Sequence, residues 1–181
     1  MRQGHWVPTG FTVEQLLAQI PRLRRYARAL TGSREAADDL VQDALERAWT
    51  KRALWRPDSN LRAWLFAVMH NVFVNGVKRA RPMASLDALN EEGNAEPVAS
   101  SASAETDATL REMSSALAQL PVEQRQVVLL VGLEQLTYAE AAEVLEIPIG
   151  TVMSRLSRGR DRLRQLLDEG SDGQNGLRRV K

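Results

Sequence analysis

The stretch Thr137-Tyr138-Ala139-Glu140-Ala141-Ala142-Glu143-Val144-Leu145-Glu146-Ile147-Pro148-Ile149-Gly150-Thr151-Val152-Met153-Ser154-Arg155-Leu156-Ser157-Arg158-Gly159-Arg160-Asp161-Arg162-Leu163-Arg164 reads as two helices joined by a short turn. Thr137 can cap the first helix, Tyr138 to Leu145, because its hydroxyl accepts from an amide left free at a helix start. Ala142 is small where two helices must approach closely, and the chain turns at Glu146-Ile147-Pro148-Ile149-Gly150. On the second helix, Thr151 to Leu167, the residues Val152, Leu156, Gly159 and Leu163 fall within about 60° of one another at about 100° per residue. The opposite face carries Ser154, Ser157, Arg158 and Asp161, flanked by Arg155 and Arg162. Such a helix buries one side on its partner and offers short polar groups and guanidiniums to a DNA groove, the pattern of a helix-turn-helix. The same residues also suit a surface helix with a solvated Arg face. Glu146 stands where such a turn often has Gly, and a left-handed conformation there costs about 1 kcal/mol.

Working outward, Leu110, Met113, Leu117 and Leu120 form an apolar stripe, and Pro121 opens the next helix at its first position. Val127, Val128, Leu130 and Val131 continue that helix. Residues 83–108 are rich in Ala, Ser, Asn and Glu, carry Pro97 and lack periodic apolar positions, which predicts a disordered acidic linker. Before it, one helix is expected from Thr12 to Leu30, with Val13, Leu16, Leu17, Ile20, Leu23, Ala27 and Leu30 on its core stripe and Gly32 as its stop. Ser33 caps a second helix whose stripe is Ala37, Leu40, Val41, Ala44, Leu45, Ala48 and Trp49. Arg56-Pro57-Asp58-Ser59 breaks the chain, and a third helix follows with Leu61, Trp64, Leu65, Val68 and Val72 inward. No strand alternation and no internal repeat appears. The expected fold is all-α: two helical domains, 1–82 and 109–181, joined by a flexible acidic linker, 83–108, with a helix-turn-helix in the second domain. The tail from Gly170 is expected to fray.

A chain of 181 residues with 44% hydrophobic and 26% charged residues can form packed cores, and with only 5% aromatics its composition leans helical. Cysteine is absent, which excludes disulfides, thiolate zinc sites and Cys nucleophiles. No apolar run is long enough to cross a bilayer, and the first thirty residues lack a signal-peptide pattern. A cytoplasmic protein without membrane insertion is expected. The net charge of +1 conceals segregation: residues 1–82 hold 14 Lys/Arg against 7 Asp/Glu, whereas residues 83–108 hold 6 acidic and no basic ones. Residues 109–150 carry 2 basic and 6 acidic side chains, and 151–167 carry 5 Arg and one Asp. Two separate basic regions suggest contact with an acidic polymer at two places.

In the first module Asp39, Gln42, Asp43 and Glu46 share one helical face, opposite the apolar stripe. Carboxylates at this spacing without His form a solvated or protein-binding face far more often than a metal or acid–base pair. The third helix has Arg62 near its start and Lys78, Arg79 and Arg81 at its end, with Trp64, Asn71, Phe73 and Asn75 between them. Cations interleaved with rings and amides suit a single nucleic-acid strand, since the cations hold phosphates while rings and amides receive unstacked bases. Trp64 and Phe73 fit an ordinary core equally well. Without Cys, a His cluster, a Gly-rich phosphate loop or a Ser/His/Asp arrangement, no catalytic residue, cofactor site or metal site is expected.

Five segments together resemble the bacterial sigma factors of the extracytoplasmic-function group. They are Asp38-Asp39-Leu40-Val41-Gln42-Asp43-Ala44, Leu61-Arg62-Ala63-Trp64-Leu65, Leu120-Pro121, Tyr138-Ala139-Glu140-Ala141-Ala142 and Gly150-Thr151-Val152-Met153-Ser154-Arg155, in the family's order across about residues 12–167. The resemblance implies a non-enzymatic promoter-recognition subunit of RNA polymerase. Its first domain would bind the polymerase clamp and the −10 element, and its second the −35 element. By this likeness Asp39, Gln42 and Asp43, with Glu46 on the same face, match the clamp-binding helix. Trp64 matches a melting-region Trp and Asn71 the position beside a pocket for a flipped −10 base; Arg62, Asn75, Lys78, Arg79 and Arg81 complete that expected interface. Ser154, Arg155 and Arg158 match −35 contact positions, with Thr151, Met153, Ser157 and Arg162 beside them. Met153 departs from the family's frequent Arg or Lys, and Trp55 stands where Phe is common. Implied partners are core RNA polymerase, promoter DNA and an anti-sigma factor, the chain being monomeric when free or paired 1:1 with that factor. A stand-alone helix-turn-helix regulator is the rival reading, but such proteins usually dimerise on paired half-sites. It also leaves the acidic and basic helices of the first module unexplained, as does a helical adaptor without a DNA role.

Overall fold

The computed structural model describes residues 10–80 and 104–176, with side chains described for 10–79 and 108–169. Arg81 and nearly all of the acidic stretch therefore lie outside the described residues. Every regular element described is helical.

The helix expected from Thr12 to Leu30 is two helices, α1 (Val13–Leu17) and α2 (Ile20–Thr31). Pro21 lies in the first turn of α2 and has no amide to continue the ladder of α1. The Gln19 amide instead turns back to the Leu16 carbonyl at 3.0 Å. The change of direction leaves Val13 and Leu17, two residues of the expected stripe, 50% and 55% exposed, while Leu16 is buried. Thr12 caps α1 reciprocally with Gln15, and Gly32 ends α2 at φ 70°, a conformation that glycine adopts without a Cβ penalty.

Ser33 caps α3 (Arg34–Thr50), and after a 3-10 turn at Arg52–Leu54 comes α4 (Leu61–Ala80). Leu23, Tyr26, Ala27, Leu30, Ala37, Val41, Ala44, Ala48, Leu65, Phe66 and Met69 form the centre of this lobe. Tyr26 meets Phe66 edge-on at 5.0 Å between ring centroids. Trp49, expected inside, is exposed on the rim, with the Arg52 guanidinium 4.6 Å over its ring.

In the second lobe α5 (Ala104–Ala118) begins within the stretch read as linker, and Leu110 and Met113 on it are exposed rather than core. Pro121 caps α6 (Val122–Val128) instead of occupying its first position; its carbonyl accepts from the Gln124 and Arg125 amides, both at 2.9 Å. A π turn, Leu129–Leu133, leads to α7 (Tyr138–Leu145), which Thr137 and Glu140 cap reciprocally. Glu146 ends α7 in the left-handed conformation, φ 54°, as the Gly-less turn requires. The last helix, α8 (Ile149–Gly176), starts two residues before Thr151 because the Pro148 carbonyl accepts from the Thr151 and Val152 amides, and it runs on to Gly176, into the stretch expected to fray.

Helix α8 crosses α6 at Gly159, where an added Cβ would lie 2.8 Å from Val128 Cγ2 and 3.4 Å from Gln124 Cβ. Overpacking costs about 1–3 kcal/mol, against about 1 kcal/mol of helix propensity regained on replacing Gly. Gly159→Ala is therefore expected to lower stability by about 1 kcal/mol net, read as a fall of about 2–4 °C in thermal midpoint. The two lobes pack on each other, α2 against α5, α6 and the π turn, and α4 against α7. Their apolar interiors join in one cluster.

Candidate functional site

Three polar faces emerge from this packing. On α3 the periodicity buries Leu40, Val41 and Ala44, which turns Asp39, Gln42, Asp43 and Glu46 into water. Gln42 donates to Glu46 Oε1 at 3.1 Å, whereas neither Asp39 nor Asp43 has an ion-pair partner among the described residues. Their neighbour Asp38 differs, lying 3.9 Å from both Arg24 and Arg34. A shallow groove lined by Asp43, Glu46, Thr50, Val72 and Arg79 runs from this face to the basic end of α4.

On α4, at about 100° per residue, Trp64, Asn71, Asn75 and Lys78 fall within about 60° of one another. Arg62 lies about 160° from Trp64, so the structure does not bring it into the same stripe. Arg79 flanks it, exposed. Trp64 is half-buried and tilts against Phe11 at 5.6 Å; Phe11 also meets Trp49 and Trp55 edge-on. Its ring is thus partly a packing group, and half-buried Phe73 likewise packs on the core. Asn71 is exposed and donates to Glu146 Oε1 at 3.4 Å, across the lobes. His70 faces the other way, its Nδ1 3.1 Å from Gln126 Nε2. Burial holds the His70 ring below the ordinary histidine range, against an opposing pull from Glu146.

On α8 the expected phase holds. Val152 and Leu156 are buried, Gly159 is buried against α6, and Ser154, Ser157, Arg158 and Arg162 are exposed. Thr151 and Arg155 are half-buried at the edges, and Met153 is exposed beside Tyr138 in the cleft between α7 and α8. Arg158 Nε donates to the Ser154 carbonyl at 3.3 Å, which aligns its guanidinium along the outer face. Asp161 is paired with Arg164 at 2.8 Å, which partly offsets its charge.

Four polar residues that the sequence reading passed over lie between the lobes. Asn60 caps α4, its Oδ1 accepting from the Arg62 amide at 3.0 Å, and its amide donates to Glu140 Oε1 at 2.5 Å. Glu140 is held below the usual carboxylate range, first by the Thr137 amide, then by the Asn60 amide and Thr137 hydroxyl, with Arg62 nearby. Arg125 is buried and donates to the Leu30 carbonyl at 2.8 Å, to Leu120 at 3.0 Å and to Ala118. Burial pulls its guanidinium below the usual range. Glu134 is fully buried; its Oε1 accepts from Arg25 Nη2 at 2.8 Å and Nε at 3.2 Å, and Arg22 lies 3.8 Å from Oε2. Burial and the Glu134 charge together push the Tyr26 phenol up. A signal existed for two of these: a lone Arg at 125 and a lone Glu at 134 border an apolar run, and a charge there must find partners. Asn60 directly before Leu61 is also an N-cap pattern. Among the described residues no group of carboxylates or histidines is arranged to hold a metal ion, and no helix is long and apolar enough to cross a membrane.

Residues 16–70 match the family model of the sigma2 domain of PhyR, and residues 110–163 match sigma-70 region 4. A Rhodopseudomonas palustris protein, the ECF RNA polymerase sigma factor EcfG, is 36% identical over 155 residues, covering 85% of this chain and 83% of that protein. The chain belongs to the extracytoplasmic-function RNA polymerase sigma factors. SigM of Mycobacterium tuberculosis is 34% identical to this sigma factor over 176 residues, 95% of this chain and 85% of that one. Among solved structures, the sigma factor RpoE of Bartonella quintana, in complex with the anti-sigma factor NepR, is similar at TM-score 0.72 and 34% identity, covering 86% of this chain and 95% of that one. CnrH, in complex with the cytosolic domain of CnrY, is similar at TM-score 0.63 and 27% identity, covering 86% and 87%. The helical two-lobed architecture of this sigma factor is thus that of its family, with the sigma2 match in the first lobe and region 4 in the second.

Proposed function

We propose that this sigma factor works in the cytoplasm through three separate faces. The exposed acidic face of α3 holds core RNA polymerase. The stripe of α4 engages the unpaired −10 strand, and the outer face of α8 reads the −35 duplex. Residues 1–82 and 109–181 serve as the two functional domains, with 83–108 between them spanning the distance from one promoter element to the other. The observation that carries the reading is the division of charge: free carboxylates on α3, amides and cations on α4, and exposed Arg158 and Arg162 on α8. Because RpoE and CnrH are bound by NepR and CnrY, an anti-sigma protein is the expected regulator of this chain as well, at 1:1.

The test is transcription in vitro with purified core polymerase on genomic DNA, with start sites mapped. Starts preceded by one shared −10 and −35 pair are expected. Absence of transcription, together with tight binding of an anti-sigma protein, would overturn the reading and make the chain a sigma mimic. A gel shift that needs no core polymerase would point instead to a stand-alone regulator.

The −35 face separates into reading and positioning residues. Arg158 points outward between Ser154 and Arg162, so it is assigned to a base edge, best a guanine. Arg155 and Arg162 flank it and hold phosphates, which orient the helix without reading sequence. Arg158→Ala is expected to cost about 1–3 kcal/mol on the best −35 sequence and to flatten discrimination at one base pair. Arg162→Ala weakens all sequences alike and lowers the salt slope by about one unit. Holoenzyme binding to a panel of −35 variants at several salt concentrations measures both.

A further inference from the structure

We infer that the edge of α8 nearest α7 reads a thymine through its methyl group, with Met153 as the contacting side chain. This rests on the assignment of α8 to the −35 duplex and names what that edge recognises. Ile149 and Met153 are 49% and 54% exposed, and Tyr138 at the start of α7 is 39% exposed. Ile149 and Met153 lie one turn apart, within about 40° of each other at about 100° per residue. Tyr138 lines the same cleft as Met153, together with buried Leu156. Folding thus leaves an apolar edge in water beside the exposed Ser154, Ser157 and Arg158.

The charge around this edge says what covers it. Arg160 and Arg164 lie within about 20° of Met153, further along α8, and both are exposed, as is Arg158 on the adjoining outer face. A polyanion is drawn to such a surface. An apolar protein segment laid there would strip water from the guanidiniums without pairing them. A helix in the major groove turns its centre to the base pairs and its two edges to the two strands. Arg155 and Arg162 lie about 160–180° around α8 from Met153, so they face the opposite strand. They can hold its phosphates, whereas Ile149 and Met153 can hold none. What the groove offers an apolar side chain is the C5-methyl of thymine, which projects from the side of the base nearest its own backbone. The edge of a reading helix is where that methyl is met. At the N-terminal end of α8 the two strands are therefore held differently, and the contact favours an A·T pair at one position.

The test uses holoenzyme and duplex promoters in which each thymine of the mapped −35 element, on either strand, is replaced in turn by deoxyuridine. Deoxyuridine pairs as thymine does and lacks only the methyl. One replacement is expected to weaken binding about threefold to fivefold, the worth of one buried methyl group. Met153→Ala should lower affinity for the unmodified duplex by at least a similar factor, and should bind the thymine and deoxyuridine duplexes equally. Arg158→Ala, which acts at another base pair, should keep the methyl preference. Met153→Lys should lose that preference while its added cation raises the salt slope by about one unit. Because Met153 is exposed, neither substitution should shift the thermal midpoint.

A methyl preference that persists in Met153→Ala would overturn the assignment to Met153. A −35 element at which no thymine responds would overturn the methyl reading and leave the edge to a protein partner. Both results leave the −35 assignment of α8 standing, provided that scrambling the whole element still weakens binding. Equal binding to the scrambled promoter would remove that assignment itself.

Discussion

Asp39→Arg combined with Asp43→Arg is expected to abolish co-elution with core RNA polymerase while leaving helicity unchanged. Both carboxylates stand on the exposed face of α3 with no ion-pair partner among the described residues, so the fold loses little. Substitutions at such surface positions cost on the order of 0.5 kcal/mol each. At a complementary basic surface the reversal turns two attractions into two repulsions. Losing one desolvated charge pair alone costs about 2–5 kcal/mol of affinity, so a loss of at least about a hundredfold is expected for two. Asp38→Ala is the matching control, because Asp38 is turned toward Arg24 and Arg34. Its removal should leave assembly intact. Size-exclusion chromatography of mixtures with core polymerase reads both variants, and undiminished co-elution of the double variant would overturn the α3 assignment.

Asn71→Ala should reduce open complexes on duplex promoters about tenfold in holoenzyme, with a smaller loss on a template whose −10 region is already unpaired. Flipping a base out of the stack costs a few kcal/mol, and a pre-melted template supplies that energy in advance. A hydrogen bond to the flipped base is worth about 1–1.5 kcal/mol, which is roughly the tenfold loss expected. Asn71 is well suited to the measurement because it is exposed and its hydrogen bond to Glu146 is long, at 3.4 Å. Trp64 is not. Its ring packs on Phe11, and truncating a core aromatic costs about 3–5 kcal/mol of stability, which would confuse unfolding with failure to melt DNA. Equal losses on both templates would assign Asn71 to base reading alone, and no loss on either would take it out of the interface.

Much of the site was legible because each of its faces belongs to a single helix. Four residues on α3 at helical spacing, and an apolar stripe opposite them, already say which side meets water. The same logic placed Arg158 outward on α8 and Val152 inward. The errors came where apolar spacing carried no information about what lay opposite. Val13 and Leu17 fit the stripe of α2 in phase but lie beyond the break made before Pro21. Leu110 and Met113 continue the phase of Leu117, yet are exposed. Arg62 and Asn71 both looked suited to a strand, and only the angular reckoning along α4 divides them.

Local chemistry alone determined the caps at Thr12, Ser33 and Thr137, the stop at Gly32, the left-handed turn at Glu146 and the inward face of α8. Those features arise between residues within one or two helical turns, where spacing in sequence is spacing in space. The meeting of the lobes was decided only in three dimensions. Arg125 reaches a carbonyl 95 positions away, and Arg25 meets a carboxylate 109 positions away. No periodicity links such residues; each is buried or paired only because α2 is laid against α6 and the π turn. The same packing turns the capping carboxylate of α7 toward Asn60, giving one side chain both a local and a long-range role. Whether a polar group is free for a ligand depends on what the tertiary fold sets opposite it, and on α4 that neighbour is part of the same chain.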